Sequence, residues 1–250
     1  MTNPTIAVFQ NQDDLIKRAG DFVVAMAKEA MGQNGRFLMA LSGGSTPTAL
    51  FQLLATPAYA RQIEWHHTHL FWGDERLVPP DDPGSNYKLA LDTLLNYVPI
   101  PGENIHRAKG ELSAEEAVAD STQQLQQIAS PGHTFPQLDL ALMGLGSDGH
   151  TASLFPGAIP AAESSQPVMA VIADYDGRPA QRLTLTPLVF NAAHHLLFLA
   201  TGAEKATALA AVLTNQDSPE KWPAQRIQPT NGTVTWLVDE AAAQKLEIVD

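Results

Sequence analysis

Apolar residues fall into two alternating rhythms along this chain. Short, nearly continuous apolar runs occur at Ile6–Phe9, Phe37–Leu41, His69–Trp72, Leu138–Met143, Val168–Ala173, Arg182–Leu185, His195–Ala200 and Val234–Val238. Between them lie longer stretches with helical spacing. Over residues 13–31, Leu15, Ile16, Ala19, Phe22, Val23, Met26 and Ala30 recur every three or four positions, with Asp13 and Asp14 in the first turn and Gly32 past the end. A second helix is expected from near Pro47, carrying Leu50, Leu53 and Leu54, and others over Ser85–Leu95, Ala114–Ala129 and Ala203–Leu213. Strands without period-two alternation must be covered on both faces. Interleaved with helices, they predict a mainly parallel α/β sheet with helices on each side. No repeat or linker divides the 250 residues, so a single domain over 1–250 is expected.

Composition narrows the functional classes. With 44% apolar residues the chain can build a substantial core, yet no apolar run reaches membrane-spanning length. Met1–Gln10 lacks a signal-peptide pattern, and a cytoplasmic protein is expected. The absence of cysteine excludes disulfides, thiolate nucleophiles and cysteine-held metal centres. Fifteen basic against 27 acidic residues give a formal charge of −12, which repels nucleic acid and anionic membranes. An anionic ligand would need a local positive pocket, so each scarce basic residue matters.

In open α/β sheets, ligands lie beyond the carboxyl ends of the strands. Three loops at such places carry chemistry. Ser42-Gly43-Gly44-Ser45-Thr46-Pro47 joins a strand to a helix. Its glycines admit close approach to backbone N–H groups, its hydroxyls add donors and the helix start favours an anion, so it suits a phosphate. The alternative is a plain turn with Ser45 or Thr46 as N-cap. Nucleotide-loop spacings are missing, which disfavours a nucleotide. Asp74-Glu75-Arg76 follows another strand. It reads either as solvated charge or as a loop whose arginine offers a fixed cation. Gly146-Ser147-Asp148-Gly149-His150 follows a third. A histidine two residues from a carboxylate on a glycine-rich loop suits acid–base work, with Asp148 orienting the ring.

The remaining candidates are weaker. His66, His67 and His69 lack a zinc-binding spacing and fit the entry to a strand. His194 and His195 fit a strand's polar start, and Arg182 and Lys205, taken singly, read as solvated charges near strand boundaries. No Gly-x-Ser-x-Gly elbow supplies a serine nucleophile.

Taken together, Ser42–Pro47, Trp72–Arg76, Ser85-Asn86-Tyr87, Gly146–Pro156, Arg182–Thr186 and Gly202-x-x-Lys205 resemble the 6-phosphogluconolactonase family in content and order. The resemblance implies a three-layer, Rossmann-like fold and hydrolysis of 6-phosphogluconolactone, the second step of the pentose phosphate pathway. It implies no metal or organic cofactor. It places His150 as the base for water and Asp148 as its orienting group. Arg76 would meet the oxyanion or ring hydroxyls. Ser42, Gly43, Gly44, Ser45, Arg182 and Lys205 would hold the phosphate or line the sugar site. Asp74 and Asn86 would orient Arg76 or contact substrate. The expected partner is the small-molecule substrate alone, bound by a monomer, without nucleic acid or membrane. The related deaminases resemble Asp-Gly-His-x-Ala-Phe-Asn-Glu-Pro at the histidine loop, and Phe155 stands where their glutamate would be. Deaminase-like isomerisation is the alternative activity, and a non-catalytic sugar-phosphate sensor the alternative class.

Overall fold

The structure is a computed structural model and describes residues 4–173, 177, 179–214 and 218–246. In chain order its first half runs β1 (Thr5–Phe9), α1 (Gln12–Asn34), β2 (Phe37–Leu41), α2 (Ser45–Leu54), α3 (Pro57–Ala60), β3 (Thr68–Trp72), β4 (Asp74–Arg76), α4 (Asn86–Thr93), β5 (Ile105–His106) and α5 (Ala114–Ile128). The second half adds β6 (Leu140–Gly144), α6 (Ala162–Ser165), β7 (Val168–Ile172), β8 (Gln181–Leu185), α7 (Pro187–Phe190), β9 (His195–Ala200), α8 (Ala206–Leu213), β10 (Thr233–Asp239) and α9 (Glu240–Ala243).

Seven strands form one sheet in the order β1-β10-β9-β6-β2-β3-β5, and every pairing in it is parallel. β2 shows why the apolar runs do not alternate, since all five of its residues are buried. Phe37, Met39 and Leu41 point into one core with Leu15, Val23 and Ala27 of α1 and Leu50, Phe51 and Leu54 of α2. Leu38 and Ala40 point into the other, with Ala117 and Leu125 of α5 and Ala208 and Leu209 of α8. The three-layer expectation therefore holds. Helix starts follow the sequence cues: Asn11 caps α1 by accepting the Asp14 N–H, and Ser113 and Glu116 form a reciprocal capping box at α5.

Two predicted strands do not join this sheet. β7 and β8 pair antiparallel with each other, and β8 pairs antiparallel with β4, making a separate three-stranded sheet. The all-polar segment Asp74–Arg76, read from sequence as a loop after a strand, is one of its two edge strands. Apolar residues of β7 and β8, including Val168, Leu183 and Leu185, pack into the second core. The small sheet thus stands on one face of the large one and sets Arg76 directly opposite Arg182.

Candidate active site

The carboxyl ends of β2, β3, β6 and β9 open onto a cleft of about 700 Å³. Its walls include Ser42, Gly43, Gly44, Ser45, Asp74, Arg76, Asn86, His150, Arg182 and Lys205. These came from six separate stretches of sequence, and the fold brings all of them to one place. Asp148, the remaining expected residue, stands behind His150.

The histidine loop follows β6. Asp148 Oδ1 lies 2.6 Å from His150 Nδ1 and also accepts the His150 backbone N–H at 3.1 Å. Burial pushes the Asp148 carboxyl up, but the His150 hydrogen bond and charge outweigh it and hold the group below its ordinary value. With Nδ1 committed to Asp148, Nε2 is the basic nitrogen of the neutral ring. The loop needs glycine at 149. Its φ is 82°, and a Cβ there would stand 2.6 Å from Trp222 Cε3.

The serine–glycine loop follows β2 and opens α2. Gly43 is required by a close approach, because a Cβ would lie 2.0 Å from Asn86 Oδ1. Thr46 Oγ1 and Thr201 Oγ1 are 2.9 Å apart, joining this loop to the one after β9. There Gly202 opens the turn carrying Lys205, and Asp239 accepts the Gly202 N–H through both oxygens, at 3.1 and 3.0 Å.

The third wall is built around a buried carboxylate. Glu75 accepts the backbone N–H groups of Arg76, Asn86 and Tyr87, each at 2.7 Å, and the Ser85 hydroxyl at 3.0 Å. Burial raises its pKa, against the lowering effect of those four donors. Arg76 Nη1 donates to the Gly84 carbonyl at 2.5 Å, and Asn86 Nδ2 donates to the Asp74 carbonyl at 2.9 Å. Asp74 Oδ2 accepts the Ser153 hydroxyl at 2.8 Å. Buried Arg76 Nε, Asn86 Oδ1 and Thr151 Oγ1 have no hydrogen-bond partner among the described residues. Buried groups of that kind cost about 1–3 kcal/mol each until something satisfies them.

Arg182 is not the solvated charge its sequence context suggests. It is only 2% exposed, with its guanidinium carbon 5.3 Å from the centre of the Phe155 ring. Phe155 in turn packs 4.8 Å from the His150 ring. Lys205 is also partly buried, 4.0 Å from Glu204, a further residue of the cleft wall that its sequence did not mark. His66 and His67 lie in a short turn before β3, while His69 Nδ1 meets His106 Nε2 at 3.0 Å, away from the cleft. Burial, with a smaller effect of His69, lowers His106 to about 4. Among the described residues no group of three His, Asp or Glu side chains is placed to hold a metal ion.

A parallel α/β sheet whose strand ends present a carboxylate-paired histidine, a glycine-rich helix start and convergent cations has the build of an enzyme that takes a small anionic molecule. Residues 10–236 match the family of glucosamine-6-phosphate isomerases and 6-phosphogluconolactonase, and the chain belongs to that family. It is 40% identical to the 6-phosphogluconolactonase of Nostoc sp., over 98% of this chain and 99% of that one. The Rattus norvegicus 6-phosphogluconolactonase is 39% identical over 97% of this chain and 94% of its own length. Among solved structures, 6-phosphogluconolactonase from Trypanosoma brucei superposes with a TM-score of 0.86 at 29% identity, covering 98% of this chain and all of that one.

Proposed function

We propose that this chain hydrolyses 6-phospho-D-glucono-1,5-lactone to 6-phospho-D-gluconate, with His150 as general base. The observation that carries the reading is the 2.6 Å Asp148–His150 pair facing the same cleft as the serine–glycine loop and Lys205. A lactone carbonyl is already electrophilic, so no covalent intermediate is required. His150 Nε2 takes a proton from water as the oxygen attacks the carbonyl carbon, while Asp148 supports the imidazolium that forms. Arg76 and Arg182, opposite one another on β4 and β8, face the developing oxyanion and the ring hydroxyls. Collapse of the tetrahedral intermediate breaks the ring C–O bond, and the imidazolium returns its proton to the departing alkoxide. The backbone N–H groups after Ser42 and the Lys205 ammonium hold the phosphate. The reading carries with it a cytoplasmic, single-domain monomer acting on a small molecule, without nucleic acid, membrane or cofactor.

Phe155 favours this activity over the deaminase alternative. A phenyl ring against His150 cannot transfer the proton that amine release needs. The deciding assay follows freshly made δ-lactone and glucosamine-6-phosphate in parallel. Lactone loss well above the spontaneous rate is expected, and ammonia release at a rival rate would overturn the assignment.

A further inference from the structure

Residues 219–226 belong to none of the segments that point to function, yet they form the floor beneath the histidine loop. The Ala224 N–H donates to the Gly149 carbonyl at 2.9 Å, and the Gly157 N–H donates to the Glu220 carbonyl at 2.8 Å. Trp222 fills the space where a side chain at position 149 would go. Arg226 closes the arrangement from below. Its Nη1 donates to Glu163 Oε1 at 2.7 Å, its Nε to the Pro219 carbonyl at 2.8 Å, and its Nη2 to the Phe155 carbonyl at 3.1 Å. Both charged side chains are about 5% exposed or less.

A buried ion pair is a poor device for stability alone. Desolvation offsets most of its attraction, and an apolar pair of equal volume often does as well. What a guanidinium adds is direction, since its planar donors fix several acceptors at set angles. Here the acceptors belong to α6, to the segment before Trp222 and to the main chain of Phe155. The Phe155 ring lies against the His150 imidazole, at 4.8 Å and 32°.

We propose that Arg226, with Glu163 as its counter-ion, is a positioning residue for His150, acting through the main chain and ring of Phe155. The inference rests on His150 being the base. Its effect belongs to kcat, because the phosphate-holding loops follow β2 and β9 and do not rest on Arg226.

The test uses the full chain and five variants, with Arg226→Lys first. Lysine keeps the charge and loses the fork. Phe155→Leu keeps the Arg226 contacts and loses the ring. Each is expected to lower kcat about tenfold or more, since small misplacements of a catalytic group are costly; KM stays within about twofold for Arg226→Lys, while Phe155→Leu, which also takes the ring from Arg182, is read on kcat alone. The double variant is expected to be no slower than the slower single one, because both act on the same imidazole pose. Arg226→Met/Glu163→Leu, which removes the buried charges together, guards against a lysine variant that fails to fold. It too is expected to lose kcat and not KM. Folded variants that keep wild-type kcat while Tm falls would make the pair a structural staple and overturn the proposal. So would equal losses in kcat and phosphate affinity. His150→Asn, measured alongside, separates the two readings. A fast His150→Asn refutes the base itself, whereas a slow one beside fully active Arg226→Lys and Phe155→Leu refutes only the positioning.

Discussion

At the scale of single residues, the proposed chemistry converges on one nitrogen. His150→Asn removes the proposed base and keeps a polar side chain of modest size, so kcat is expected to fall about 10²–10⁴-fold with little change in KM. Rates corrected for spontaneous lactone hydrolysis check this. Asp148 adds a separate stability signature. Its folded carboxyl is held below the ordinary value, so its ionised form stabilises the fold above the ordinary carboxylate range, and that contribution disappears as pH falls through the folded value. The Tm gap between wild type and Asp148→Asn should therefore be widest near neutral pH and close in acid. Gly43→Ala puts a methyl where Asn86 Oδ1 stands. Either Asn86 or the loop must move, at about 1–3 kcal/mol, and KM should rise roughly 5- to 150-fold. His150, Asp148 and the glycines were legible because loop position and residue type suffice to suggest their chemistry. Arg226 and Glu163 were not. Charged residues belong on the surface by default, and only the folded chain shows that this pair is enclosed.

Between elements, the site depends on how loops after different strands are tied together. Asp239 ends β10, caps α9 by accepting the Ala242 N–H at 2.7 Å, and grips Gly202 with both oxygens. Asp239→Ala should cost about 0.5–2 kcal/mol as a lost cap, read as a lower Tm. Through Gly202 it should also loosen the Lys205 turn, raising KM about 2- to 12-fold with kcat kept. An unchanged KM would separate Asp239 from the phosphate side of the site. Six of the seven strands of the large sheet were readable to within about two residues, because being buried on both faces makes them continuous in sequence, whereas the two-residue β5 was not. In the small antiparallel sheet β7 and β8 were readable too, and its third strand, β4, was hidden for the opposite reason. Asp74–Arg76 has no apolar residue, and its strand partner lies about a hundred positions further on. Four donors converging on the buried Glu75 carboxylate help hold the segment in place, and nothing in the local sequence announces that.

For the molecule as a whole, the mainly parallel three-layer arrangement followed from the alternation of two periodicities, while the order of strands did not. That order has a consequence for how the protein is made. β1 pairs with β10 and with no other described strand, joining Thr5 to Thr235 across almost the entire chain. During synthesis at about 5–20 residues per second, the first strand waits roughly 10–45 s for its partner to leave the ribosome. Ile6 and Val8 remain partly exposed even in the finished fold, so before β10 arrives this edge is bare. The wait extends to β9, whose Phe198 stacks on Trp236 of β10 at 3.9 Å. A nascent chain stalled before Thr233 is therefore expected to be cut by protease near β1, and one carrying β10 clear of the exit tunnel to be protected there. The cleft should close on the same schedule, since the turn bearing Lys205 is anchored by Asp239 at the end of β10, and β10 must be in place before the first substrate can be turned over.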